Sequence, residues 1–191
     1  MDRSSQDSPG YKLESQIRLS YGKVIYSQTC HERIIKRLLS INSKIKIWQI
    51  ILSSITTGSF VLTAISNEKI SGIVGSLLSM CLLLLNTFVK NFEIAENASK
   101  HQKASDALWD IKEKYISLLT DFEHLSQEEI ISKRDMLQKE TSSIYKNAPR
   151  TDARSARDAR KALKKLEDSA FTDKDIDAML PSSIRRKSSG C

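Results

Sequence analysis

Two charge-free runs constrain this chain more than any other feature: Ile47 to Asn67 and Ile70 to Val89, holding 21 and 20 residues and separated only by Glu68 and Lys69. An α-helix rises about 1.5 Å per residue, so about 20 residues cross the roughly 30 Å hydrocarbon layer of a bilayer. Lys44 and Lys46 precede the first run, Lys69 precedes the second and Lys90 follows it. Trp48 stands one residue inside, where an interfacial aromatic ring belongs. A surface helix of a soluble protein carries charge on its outer face, and neither run has any. The rival is a pair of buried core helices, and its best support is the polarity of the first run, with Gln49, Ser53, Ser54, Thr56, Thr57, Ser59, Thr63, Ser66 and Asn67. The reading adopted is a membrane hairpin, with spans at about 47–67 and 70–89.

So short a link makes the spans antiparallel and puts both chain ends on one side. Arg33, Lys36, Arg37, Lys44 and Lys46 crowd before the hairpin, and Lys90, Lys100 and Lys103 follow it. The positive-inside rule then places both termini in the cytoplasm of a multi-pass inner-membrane protein. The net charge of +7 arises mostly before the first span: residues 1–46 carry nine Lys and Arg against four Asp and Glu. That suits an anionic membrane surface. Nucleic acid fits less well, because the basic residues are not interleaved with aromatics for base stacking. The first run begins after 46 polar residues, later than a cleaved signal peptide would. Cys30, Cys81 and Cys191 show no metal spacing and no disulfide framework, which suits a reducing compartment.

The remainder reads as helix, giving an all-α fold: a two-transmembrane hairpin with flanking cytoplasmic helices forming a bundle. Residues 1–10 read as a disordered lead and 11–46 as an N-terminal helix, with Leu13, Ile17, Tyr21, Val24, Ile34, Leu38 and Ile45 as its apolar stripe and a break around Gln28 and His31. No proline separates this helix from the first span. After the second span the helix continues to about Phe122 through Ala104, Leu108, Ile111, Tyr115 and Leu118, with Trp109 packing on the N-terminal helix. Ser126 and Glu129 form a capping box that starts another helix at Gln127, to end near Asn147 before Pro149. A basic amphipathic helix follows, with Ala156, Ala159, Leu163 and Leu166 on one face. Its other face carries Arg154, Arg157, Lys161 and Lys164, a solvated surface or a contact for a partner or phosphate. Thr172 caps a short acidic helix ended by Pro181, which closes the 90–180 helical region, and 181–191 read as a flexible tail.

At 100° per residue the polar residues of the first span share one broad face. Two roles stay open for it: packing against another helix, or lining a pore in an oligomer, with Gln49, Ser53, Thr56, Ser59 and Thr63 as the lining set. In the second span Ser71, Gly72, Gly75 and Ser79 form a small-residue packing stripe, with Asn86 placed to hydrogen-bond across it, while Cys81 and Leu82 to Leu85 suit lipid. One hairpin cannot enclose water, so a pore requires a homo-oligomer.

His31, His101 and His124 show no metal-ligand spacing and read as surface or packing residues. Neither a glycine-rich phosphate loop nor a nucleophile motif occurs. The chain reads as a non-enzyme that takes no cofactor.

The stretches "YGKVIYSQTCHERIIKRL", "WQIILSSITTGSF" and "IVGSLLSMCLLLLNTFVKNFEIAENASKHQ", extended by "LWDIKEKYISLLTDF", "IYKNAPRTD" and "FTDKDIDAMLP", carry a resemblance. In order and spacing the chain resembles the SLATT family, the SMODS- and SLOG-associating two-transmembrane effector domains of bacterial defence, with residues 11–186 as one such domain. The resemblance implies an anti-phage effector that oligomerises and breaches the inner membrane when triggered, halting the cell by abortive infection. It also implies a signal-producing enzyme encoded nearby, nucleotide-synthesising or a reverse transcriptase. The alternative is a membrane-anchored scaffold or regulatory subunit for a partner enzyme.

Overall fold

A computed structural model describes residues 9–66 and 69–168 of the chain. Five α-helices follow one another: α1 (Pro9–Ser66), α2 (Lys69–Phe92), α3 (Ile94–Thr120), α4 (Gln127–Asn147) and α5 (Ala153–Asp168), with a 3₁₀ turn at Phe122–His124. No strand occurs among the described residues. The expected helix at Thr172, the tail and the lead up to position 8 lie outside them.

α1 starts at a proline, whose fixed φ and missing N–H suit the first helical turn. Residues 9 and 10 are therefore helical and not part of a lead. The helix then runs unbroken for 58 residues, about 87 Å, so the N-terminal helix and the first span are one element. One side of it is inward-facing in alternating steps of four and three: Val24, Gln28, His31, Ile35 and Leu38 below, then Ile45, Gln49, Leu52, Thr56, Ser59 and Thr63 in the span. That spacing is the signature of helices packed side by side at a small crossing angle. Gln28 and His31, where the apolar stripe breaks in the sequence, are buried on this same face. Polarity at those positions is a property of the interface.

The lower half of α1 packs on α3, α4 and α5. Leu13, Ile17, Val24, Leu108, Ile111, Tyr115, Leu118, Ile130 and Leu137 form the core. α4 begins at the expected capping box: the Ser126 backbone N–H donates to the Glu129 carboxylate at 2.9 Å, and the Glu129 N–H donates to the Ser126 hydroxyl at 3.3 Å. Trp109 lies outside the core but beside α1, lining a cleft with Gln28, Glu32, Ile35 and Lys36. It is half exposed, with the Lys112 ammonium 3.4 Å from its ring centroid.

The upper half of α1 packs only on α2. Each helix contains a window apolar enough to cross a bilayer, and only 6 % of either window is buried. A core helix of a soluble protein would be mostly covered. Here Ile50, Leu62, Ile73, Leu77 and Leu83 point away from the partner helix and meet whatever surrounds the hairpin.

The return path differs from the sequence expectation at one residue. The second span does not continue into α3; the helix breaks at Glu93, which is left-handed at φ 41° and ψ 43°. Inward positions on α2 run Ser71, Gly75, Leu78, Leu82, Leu85 and Val89 in steps of four and three, and those on α3 run Ile94, Ala98, His101, Ser105 and Leu108. Between Val89 and Ile94 the step is five. A straight helix would turn Glu96 and Lys103 toward α1; the break re-phases the chain so that Ile94 and Ala98 are buried. A non-glycine residue in this conformation costs about 1–2 kcal/mol, which burial of those side chains offsets. Asn97 stabilises the break, its backbone N–H donating to the Glu93 carbonyl at 2.9 Å and its side chain to the Phe92 carbonyl at 3.2 Å.

Candidate functional site

Inside the hairpin the polar face of α1 meets the small-residue stripe of α2. The Gln49 amide donates to the Asn86 side-chain oxygen at 2.7 Å, and the Thr63 and Ser71 hydroxyls lie 2.9 Å apart. A Cβ placed on Gly75 would stand 3.2 Å from the Ser59 Cβ, and one on Gly72 would stand 3.5 Å from a Thr63 methyl. Glycine at 75 therefore lets the two backbones approach. Thr56 is buried between the spans and Ser79 is half-buried. Of the five residues read as a lining set, Gln49, Thr56, Ser59 and Thr63 thus turn toward α2 within one chain, and Ser53 stays exposed on the flank. Leu82 and Leu85 also face α1, so only part of the leucine run, with Cys81, looks outward.

Every described hydroxyl of the first span except that of Ser53 donates to the carbonyl four residues back: Ser54 to Ile50, Thr56 to Leu52, Thr57 to Ser53, Ser59 to Ile55 and Thr63 to Ser59. Without water, a backbone and side-chain set that satisfies itself is what a spanning helix requires.

Below the hairpin, α1, α3 and α5 meet at a polar cluster. The His31 and His101 Nδ1 atoms lie 2.8 Å apart, buried, so a single proton sits between them, donated by one ring to the bare nitrogen of the other. Burial holds His31 down at about 4, with the neighbouring His101 ring acting in the same direction. Burial also lowers His101, where Asp152 pulls the other way and Arg37 adds to the lowering. Asp152 caps α5, accepting the Ser155 N–H at 2.7 Å, and pairs with Arg37 of α1. The Ser155 N–H and then Arg37 hold its carboxyl down at about 2. One carboxylate thus fixes the start of α5 and its docking on α1. Tyr26 reinforces the contact, donating to the Ala156 carbonyl at 3.3 Å.

The histidines are 70 residues apart, and spacing along the chain could not join them. The available signal was their shared place in the four-and-three repeat, His31 after Gln28 and His101 after Ala98. No group of three or more His, Cys, Asp or Glu able to hold a metal occurs among the described residues.

On α5, Ala159 is buried against the bundle, while Arg154, Arg157, Lys161 and Lys164 are exposed. The structure brings these four together on one outward strip, remote from the hairpin residues.

These features define a class: an all-helical membrane protein with two antiparallel spans, whose long first helix is shared between a hairpin and an extramembrane bundle. Residues 13–175 match the SMODS and SLOG-associating 2TM effector domain family 4, and the chain belongs to that family. Neither the curated proteins nor the solved structures yield a match to this chain.

Proposed function

We propose that the protein is a non-catalytic membrane effector of a bacterial anti-phage system, held in the inner membrane with both termini in the cytoplasm. A partner or nucleotide signal, supplied by an enzyme encoded nearby, triggers oligomerisation and a breach of the bilayer. The observation that carries this reading is the family match over residues 13–175, and beside it stands the pairing of Gln49 with Asn86 and of Thr63 with Ser71. That pairing describes a closed hairpin whose polar face is occupied by its own second span. In the open oligomer Gln49 and Thr63, with Ser53, Thr56 and Ser59, line water between subunits. A trigger that binds the open form better by a few kcal/mol is enough to shift such an equilibrium. Arg154, Arg157, Lys161 and Lys164 offer the trigger's docking strip.

The test follows membrane potential in cells that contain the trigger. Depolarisation is expected from the native chain, and its loss, with membrane insertion retained, when Ser53, Thr56 and Thr63 become leucine. Cell death at unchanged potential rejects the pore.

A scaffold reading is favoured by one observation: the Gln49, Thr56, Ser59 and Thr63 side chains are hydrogen-bonded within a single chain. The hairpin then serves as an anchor that holds the bundle beside a partner enzyme. Under it, the leucine set leaves activity intact.

A further inference from the structure

Two adjoining clefts run along the α1–α4 face of the bundle, away from the hairpin. The first, about 330 Å³, is lined by Lys23, Lys146, Gln138 and Ser142 against an apolar wall of Val24 and Tyr115. The second, about 290 Å³, is lined by Arg150 and Thr151 beside His31. Tyr145 forms the wall they share. No carboxylate lines either cleft. Among the described residues no carboxylate is within ion-pair reach of Lys23, Lys146 or Arg150. Lys23 and Lys146 thus line the first cleft and Arg150 the second, among hydroxyl and amide groups and with no carboxylate in either lining.

We infer that these clefts form a binding site for a small soluble phosphoryl anion, a phosphomonoester or a diphosphate. A carboxylate offers two oxygens and one charge. A phosphoryl group offers at least three acceptor oxygens and close to two charges at neutral pH, which matches cations set among hydroxyl groups. A lipid headgroup carries the same chemistry but cannot reach: Lys23 lies 24 residues before Ile47 on an unbroken helix, about 36 Å below the first span. The ligand would tie α4 and the 148–152 loop to α1, the helix that continues into the membrane.

The experiment titrates the full-length protein in nanodiscs with inorganic phosphate, sodium pyrophosphate and adenosine monophosphate, read by calorimetry. At least one of these probes is expected to bind saturably, with acetate at equal ionic strength giving no heat. Replacing Lys23 and Lys146 together by alanine is expected to weaken binding at least about tenfold, and the Lys→Arg pair to retain it. Lys139→Ala, exposed on α4 and lining neither cleft, is expected to change nothing. Saturable binding to none of the three probes overturns the inference, as does an unchanged Kd in the alanine pair or displacement of pyrophosphate by anionic lipid in the disc. Binding is read without reference to membrane potential, so failure here and failure of the effector reading are separate results.

Discussion

The two halves of α1 use the same four-and-three spacing and solve different problems with it. In the bundle the inward positions are mostly apolar, with Ile17, Leu108 and Ala159 fully buried, because expulsion of water drives association, and the buried polar groups cluster around Gln28, His31 and His101. In the hairpin Gln49, Thr56, Ser59, Thr63, Ser71 and Gly75 share the inward face with Leu52, Leu78, Leu82 and Leu85, while Ile50, Leu62, Ile73, Leu77 and Leu83 point outward. Lipid is as apolar as leucine, so spans gain little by hiding it from their surroundings. They gain from close approach and from hydrogen bonds. One helix thus carries two chemistries, and the change between them falls near Lys44, Lys46 and Trp48, at the start of the charge-free run.

The comparison breaks first if the bundle core proves unimportant. Leu108→Ala should destabilise the protein by about 3 kcal/mol, read as a lower thermal midpoint by circular dichroism in detergent. A smaller but distinct effect comes from the histidine pair. Both rings are held below their ordinary pKa, so the unfolded chain binds more protons between about pH 6.5 and pH 4. The stability this pair contributes is present above about pH 6.5 and is lost as the pH falls toward about 4, on the order of 2 kcal/mol. The thermal midpoint should fall across that window in the native protein and stay flatter in His31→Gln/His101→Gln.

In the hairpin the sensitivity reverses, because adding volume is the harmful change there. Gly75→Val presses its side chain on Ser59 and should cost about 1–3 kcal/mol, with reduced disulfide cross-linking between cysteines placed at the facing positions 52 and 82. An unchanged cross-linking yield would contradict the close backbone approach. The smallest expected effect is at Gln49: a double-mutant cycle with Asn86, both to leucine, should return a coupling of about 0.6 kcal/mol by steric-trap unfolding in bilayer mimics.

Much of the architecture was legible in the sequence because the signals are local. Charge-free length sets the spans, Ser126 and Glu129 set the start of α4, and the 3.6-residue period marks Leu108, Ile111, Tyr115 and Leu118 as core. The basic strip of α5 follows from the same period. The site was legible only as ingredients. The polar face of the first span and the small stripe of the second were both visible, but that they face each other in one chain was not. The break at Glu93 was hidden because nothing in "KNFEIAEN" disfavours helix; the break answers a phase mismatch between the inward faces of α2 and α3, which only their packing on α1 reveals.

By itself the sequence determined which solvent each segment meets, since charge, length and end-capping act within a few residues of where they are written. Only the tertiary structure decided which residues meet one another: Gln49 with Asn86, His31 with His101, Arg37 with Asp152, and Lys23 of α1 with Lys146 of α4 along one cleft. Those pairings depend on the register of one helix against its neighbour, and register is a sum of packing contacts along the whole interface that no single stretch of chain contains.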